Sequence, residues 1–165
     1  MPNLFTEDTY EQAIIELFEN MGYDHLYAPD FDRDYTSPIL DSILRDSLVR
    51  INRGLPVEAI DEAMSKLKNF DTGSLLQKNM IFMDYLQNGV TIKFFVKGEE
   101  QSSIVRLIDY QNVKSNSFYV VNQLTFLENG NNRRPDIILF INGLPLVLME
   151  LKSPAKDEVG VENAY

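Results

Sequence analysis

The chain has 165 residues, 44% of them hydrophobic and 24% charged, which is ordinary for a globular protein and enough for one well-buried domain. It contains no cysteine, which excludes disulfides, thiolate metal sites and a cysteine nucleophile, and suits a reducing cytoplasm. A formal net charge of −10 argues against a surface that grips nucleic acid non-specifically.

That charge is uneven. Residues 1–50 carry eleven acids against three bases, and residues 101–165 carry seven against six. Acidity therefore belongs mainly to the first helices, which weakens a nucleic-acid role without excluding it. No stretch reaches the roughly 18–20 apolar residues of a membrane span. The amino terminus, Met1 to Asp8, lacks the basic and then apolar regions of a signal peptide.

Thr6 is placed as an N-cap, with Glu7 and Asp8 in the first turn, where carboxylates favour the helix dipole. Tyr10, Ala13, Ile14, Leu17, Phe18 and Met21 recur at helical spacing, Glu11 lies on the flank of that stripe, and Gly22 ends the helix. Residues 23–35 read as a polar, aromatic-rich loop with alternating Asp30, Asp32 and Asp34. A calcium loop would need a glycine and a distant glutamate at fixed offsets, so these acids read as a solvated loop. His25, the single histidine, reads as a surface or packing residue rather than a general base.

Ser37-Pro38 opens a second helix with Ile39, Leu40, Ile43, Leu44, Leu48 and Ile51 on its buried side. Pro56 starts a third, and a fourth runs from about Ser74 to Gln87 until Asn88-Gly89 stops it. Leu75, Leu76, Met80, Met83 and Leu86 are the apolar residues of the fourth, and its methionines read as core filler rather than a functional surface. From Val90 the period changes from helical to alternating. Strands are predicted over 90–96, 103–109 and 118–127, followed by a loop at Asn129-Gly130-Asn131-Asn132.

The next stretch, Pro135-Asp136 through Ile141, an Asn142-Gly143 turn, and Leu144 through Lys152, reads as a β-hairpin. An acid opens its first strand, and Glu150 and Lys152 close its second. Burial of an apolar strand gives those charges no reason to be there, so they call for a partner, a metal or a substrate. Side chains alternate along a strand, so Glu150 and Lys152 share one face. A two-residue turn at Asn142-Gly143 pairs Ile141 with Leu144 and puts Asp136 opposite Met149, on the wrong side. Moving the pairing by one residue puts Asp136 opposite Glu150, so the expectation is a bulged or lengthened turn. Pro145, without an N–H, favours a position outside the regular ladder.

Two carboxylates on one face, beside the Leu151 backbone carbonyl, make an all-oxygen site for a hard divalent cation, most plausibly Mg²⁺. Such an ion polarises a phosphoryl oxygen and lowers the pKa of a bound water. Lys152 could orient the attacking water or offset charge building on phosphorus. The bland alternative is a structural ion pair at a strand end. Arg133 and Arg134, just before Asp136, could clamp phosphates or could be a solvated loop pair; Lys156 is a weaker candidate of the same kind.

Pro135-Asp136, a spacer and Glu150-Leu151-Lys152 resemble the PD-(D/E)xK nuclease signature. The wider runs Asn132 to Asp136 and Val147 to Pro154 resemble the amino-terminal nuclease region of the R (motor) subunit of type I restriction enzymes. The segment from Thr6 to Tyr23 is similar to that family's first helix. The resemblance implies that Asp136 and Glu150 are metal ligands and that Lys152 is the catalytic lysine. It also implies an acid from the first helix, for which Glu11 is the first choice and Glu7 the second. The family's Gln-x-x-x-Tyr motif is not matched by Glu162-Asn163-Ala164-Tyr165, where position 162 is Glu, and is expected beyond residue 165. No phosphate loop of the ATP-driven translocase is present. With the helix expected from Asp157 cut short at Tyr165, this suggests a piece of a larger protein.

The reading is thus an α/β protein with a restriction-endonuclease-like core, a central mixed sheet of about five strands flanked by helices, and an N-terminal helical part. Residues 1–165 form a single nuclease domain, with 1–89 mainly helical and 90–165 the catalytic sheet. The implied function is Mg²⁺-dependent cleavage of double-stranded DNA, delivered by a missing ATP-dependent motor working with modification and specificity subunits. Two rivals stand beside it: a non-catalytic docking module with acidic helices, and a repair or junction nuclease of similar core.

Overall fold

The computed structural model describes residues 6–30, 33–69, 73–128 and 130–152. Two compact units divide the chain, one made of Met1–Leu40 with Phe118–Tyr165 and the other of Asp41–Ser117.

The first unit begins with α1 (Glu7–Asn20), capped by the Thr6 side chain, which accepts from the Thr9 N–H. Gly22, at φ +95°, turns the chain out of the helix as the sequence predicts. Residues expected to be loop then form β1 (Asp24–Tyr27) and a short 3₁₀ turn over Ala28–Asp30. A four-residue strand with no apolar alternation cannot be recognised locally, because its pairing partner lies far along the chain. That partner is β4 (Phe118–Asn122), alongside which β1 runs parallel.

β4 is shorter than expected because Gln123 leaves the strand at φ +58°. The expected loop near residue 131 instead carries a small antiparallel pair, β5 (Phe126–Glu128) with β6 (Asn131–Arg133). β7 (Ile137–Ile141) and β8 (Leu144–Met149) complete a four-stranded mixed sheet in the order β1-β4-β7-β8. The architecture is the predicted mixed α/β sheet with helices.

One face of this sheet is covered by α1. Ile15, Val120, Ile137 and Leu139 form a buried cluster, with Ile14, Phe18, Tyr23, Met149 and Leu151 packed against it. The buried stripe of α1 is therefore rotated from the expected one. Leu17 and Met21 are exposed, whereas Glu11, Ile14, Ile15 and Phe18 point inward. Glu11 thus stands at the sheet side of the helix rather than on its flank.

The second unit holds α2 (Asp41–Ile51), α3 (Val57–Lys68), α4 (Leu75–Asn88), β2 (Val90–Val96) and β3 (Glu99–Val105). α2 starts later than Ser37-Pro38 suggested, because the Ser37 hydroxyl accepts the Ile39 N–H in a local turn. α3 packs on α2 and on the β2–β3 ribbon, burying Leu44, Leu48, Ile60, Leu67, Val90 and Ile92. β3 begins four residues earlier than expected because the turn is only Lys97-Gly98, both at positive φ.

The largest correction in this unit concerns α4. A Ser74–Gln77 capping box starts it, but Leu75 (85%), Leu76 (69%), Met80 (64%) and Met83 (45%) are exposed rather than core. Leu86 alone of its residues is fully buried, near the end where the Tyr110 hydroxyl donates to the Leu86 carbonyl. Helical period reports that apolar residues share a stripe, not that the stripe meets anything.

Candidate active site

The β7–β8 hairpin brings Asp136 and Glu150 together, by a route that differs from the expected one. The turn at Asn142-Gly143 is tight: Ile141 pairs with Leu144, and both turn residues have positive φ, as a type I′ turn requires. It has no room to lengthen. Asn142 is fully buried, and the Gly143 carbonyl accepts the Leu40 N–H at 3.0 Å.

The extra residue is taken up inside β8. Phe140 pairs with Pro145 while Leu139 pairs with Val147, so Leu146 is a β-bulge. Pro145 stands immediately before it, where the ladder is already broken and its missing N–H costs little. Past the bulge Ile137 pairs with Met149, and continuing that register beyond the strand ends would bring position 136 opposite position 150. The one-residue shift is present, and only its place was wrong.

Alternation then sorts the side chains. Ile137, Leu139, Met149 and Leu151 pack on the α1 side, so Asp136, Glu150 and Lys152 belong to the opposite face. Asp136 is tied across the hairpin end by the Leu151 N–H, which donates to its Oδ2 at 2.6 Å. The Leu151 side chain meanwhile anchors that segment in the core. Partial burial, and then the negative charge of Asp136, push the Glu150 pKa up, while Lys152 pulls it down. Glu150 therefore feels both neighbours. Glu150 and Lys152 remain open to solvent, as a site for a large polymer requires and an enclosed small-molecule pocket does not.

Like charges opposed across a hairpin are unfavourable unless a cation comes between them. Mg²⁺ is commonly held by one or two carboxylates, with waters and substrate phosphates completing its shell. Asp136 and Glu150 fit that demand. Among the described residues, however, no group of three or more His, Cys, Asp or Glu side chains is close enough to hold an ion.

Glu11 reaches the same end of the sheet but engages other groups. Its Oε1 accepts from Asn122 Nδ2 at 2.6 Å and its Oε2 from Gln123 Nε2 at 3.0 Å. Glu7 is exposed in the first turn of α1. Arg133, on β6, and Arg134 are both exposed just ahead of the buried Pro135. Asp34 accepts from the Thr36 N–H and hydroxyl, so it shapes a turn. Asp32, Lys156 and the segment from Asp157 to Tyr165 lie outside the described residues.

Sequence reasoning did not place Asn122 and Gln123 against Glu11, and it read His25 as a surface or packing residue. His25 lies on β1, and its Nε2 is 2.9 Å from Asn122 Oδ1. A signal was present: Asn122 shares its strand face with Val120, and a polar residue on a core face calls for a partner.

The model of the type I restriction enzyme R protein N terminus matches residues 4–165. The endonuclease subunit of the type I restriction enzyme HindI from Haemophilus influenzae is 32% identical over 171 residues, covering 98% of this chain and 16% of that protein. The putative MjaIXP endonuclease subunit of Methanocaldococcus jannaschii is 32% identical over 157 residues, covering 90% of this chain and 15% of that protein. The putative MjaVIIIP endonuclease subunit of the same organism is 33% identical over 168 residues, covering 99% and 15%. The chain thus spans 15–16% of the length of these relatives. Matched along almost all of its length, this chain belongs to the family of type I restriction enzyme R protein N termini.

Proposed function

We propose that this chain is the DNA-cleaving domain of a type I restriction–modification enzyme, hydrolysing phosphodiester bonds of double-stranded DNA with Mg²⁺. The observation that carries this reading is the end of the bulged β7–β8 hairpin, where the Leu151 N–H donates to Asp136 Oδ2 at 2.6 Å and Glu150 has Asp136 and Lys152 as charged neighbours. An ordinary structural pair would join opposite charges. Here Glu150 and its neighbour Asp136 are both acidic.

Asp136 and Glu150 hold the cation, with the Leu151 carbonyl as a further oxygen donor. The bound ion supplies a polarised phosphoryl oxygen and a water of lowered pKa. The Leu151 N–H fixes one oxygen of Asp136. Lys152, exposed and next to the pair, meets the scissile phosphate and offsets the negative charge that grows on it during attack. Arg133 and Arg134 contact flanking phosphates, for which the guanidinium fork is suited.

DNA is delivered by an ATP-dependent translocase that lies outside these 165 residues, acting with modification and specificity subunits. ATP serves that motor and not the chemistry of this domain. Among the described residues no helix is long and apolar enough to cross a membrane, and the whole enzyme works in the cytoplasm. The test is plasmid cleavage by the full-length protein in its complex with ATP and Mg²⁺. Lys152→Ala should abolish cleavage while ATP hydrolysis persists. Undiminished cleavage by that variant would remove Lys152 from the reaction and favour a docking role.

A further inference from the structure

Glu11 is held in a way that helix and strand geometry alone would not produce. Asn122 and Gln123 are adjacent, and adjacent residues of a strand point to opposite faces. Both of their side-chain amides nevertheless reach one carboxylate, at 2.6 and 3.0 Å. The convergence depends on Gln123 adopting φ +58°, a conformation unfavourable for a residue with a side chain. Backbone strain of this kind persists where surrounding structure enforces it, commonly at functional positions.

From that conformation Gln123 also donates its N–H to the Asp136 carbonyl at 3.3 Å. One residue therefore touches both acid-bearing segments. Asn122 is only 4% exposed, so its amide must be satisfied on both sides. A carboxylate only accepts, so Nδ2 faces Glu11 and Oδ1 faces His25, whose Nε2 must carry the proton.

We propose that Asn122 and Gln123 form a two-amide clamp that positions the Glu11 carboxylate at the Asp136 end of the sheet, with His25 orienting Asn122. The proposal rests on the nuclease reading above and deepens it. The clamp uses neutral donors. Each Glu11 oxygen accepts one hydrogen bond and retains a lone-pair site for a water or a cation. Because the three acids do not form one tight group, Glu11 bears on the Asp136 end of the sheet through Gln123, whose amide it holds and whose N–H holds the Asp136 carbonyl. Asn122, Gln123 and His25 are positioning residues.

The experiment measures Mn²⁺ affinity of this 165-residue chain by calorimetry, together with the melting temperature of every variant. Gln123→Gly removes the amide while relieving the left-handed strain, so its melting temperature should not fall. Glu11→Gln keeps the shape and removes the charge. Each should weaken Mn²⁺ binding by about tenfold, as loss of an outer partner of a metal ligand does. The double variant should bind no more weakly than Glu11→Gln alone, since both act through one carboxylate. Unchanged affinity in Gln123→Gly, or losses that multiply in the double variant, would overturn the clamp. Asp136→Asn separates the two levels. If it binds Mn²⁺ like the wild type, or the wild type binds none, the nuclease reading fails and the clamp with it. If Asp136→Asn loses Mn²⁺ while Gln123→Gly does not, only the clamp fails.

Discussion

The chain contains two hairpins built on the same plan and put to different ends. β2–β3 and β7–β8 both turn through a two-residue loop ending in glycine, Lys97-Gly98 and Asn142-Gly143, with positive φ at both positions. β2–β3 then runs in unbroken register from Val96↔Glu99 to Val90↔Val105. Its cross-strand charges are opposite: Lys93 and Glu100 pair at 2.6 Å, both well exposed. β7–β8 breaks register at Leu146, and beyond its last pair, Ile137 with Met149, the two acids Asp136 and Glu150 come to be charged neighbours. A regular ladder with opposite charges is what stability alone selects. A bulge that opposes like charges needs another reason, and the proposed cation would supply it.

Four outcomes would break or sharpen that contrast, in decreasing size. In the full-length enzyme, Asp136→Asn should lower DNA cleavage by about a hundredfold or more, as loss of a group stabilising the transition state does. Thermal unfolding should barely change. Cleavage at the wild-type rate would reduce the bulged hairpin to a structural curiosity.

On the ribbon the large effect should be on folding instead. Gly89 sits at the start of β2 with φ +82°, and a Cβ there would lie 2.8 Å from the Val105 carbonyl oxygen. Gly89→Ala should cost about 1–3 kcal/mol of stability in urea denaturation.

Glu150→Gln tests the like-charge apposition directly. A carboxyl whose pKa is raised in the folded state favours folding below its ordinary value, and loses that contribution as pH rises through the raised value. At neutral pH the Gln variant should therefore be as stable as the wild type or slightly more so. Solvent screening limits the gain to roughly a few tenths of a kcal/mol. The difference should vanish in acid, where Glu150 is protonated. A clear loss of stability at neutral pH would instead make Glu150 a structural partner.

Lys93→Ala should do least. An exposed pair contributes about 0–1 kcal/mol, and cleavage should be untouched. Loss of activity in this variant would mean that the ribbon is not the passive partner in the comparison.

The residues proposed for the site were legible in the sequence. Asp136, Glu150 and Lys152 stand out because charges end apolar strands, and alternation requires a one-residue shift to unite them. The position of the bulge was not legible. It depends on Asn142 and Gly143 being buried beneath Leu40, a contact about a hundred positions away in sequence. The amides that hold Glu11 were equally hidden, since Asn122 and Glu11 are 111 positions apart.

The sequence by itself determined what depends on near neighbours: the Thr6 and Ser74 caps, the stops at Gly22 and Gly89, strand β2, and the charged residues that end the apolar strands of the hairpin. These follow from capping, backbone freedom and period, all set within a few residues. Tertiary structure decided which faces meet. It rotated α1 so that Glu11 points to the sheet, enlisted β1 as a parallel strand, left the Leu75–Met83 stripe of α4 exposed, and moved the bulge to Leu146. Register and facing are chosen by contacts between distant segments, because only there can burial and hydrogen bonding offset the entropy of closing the chain.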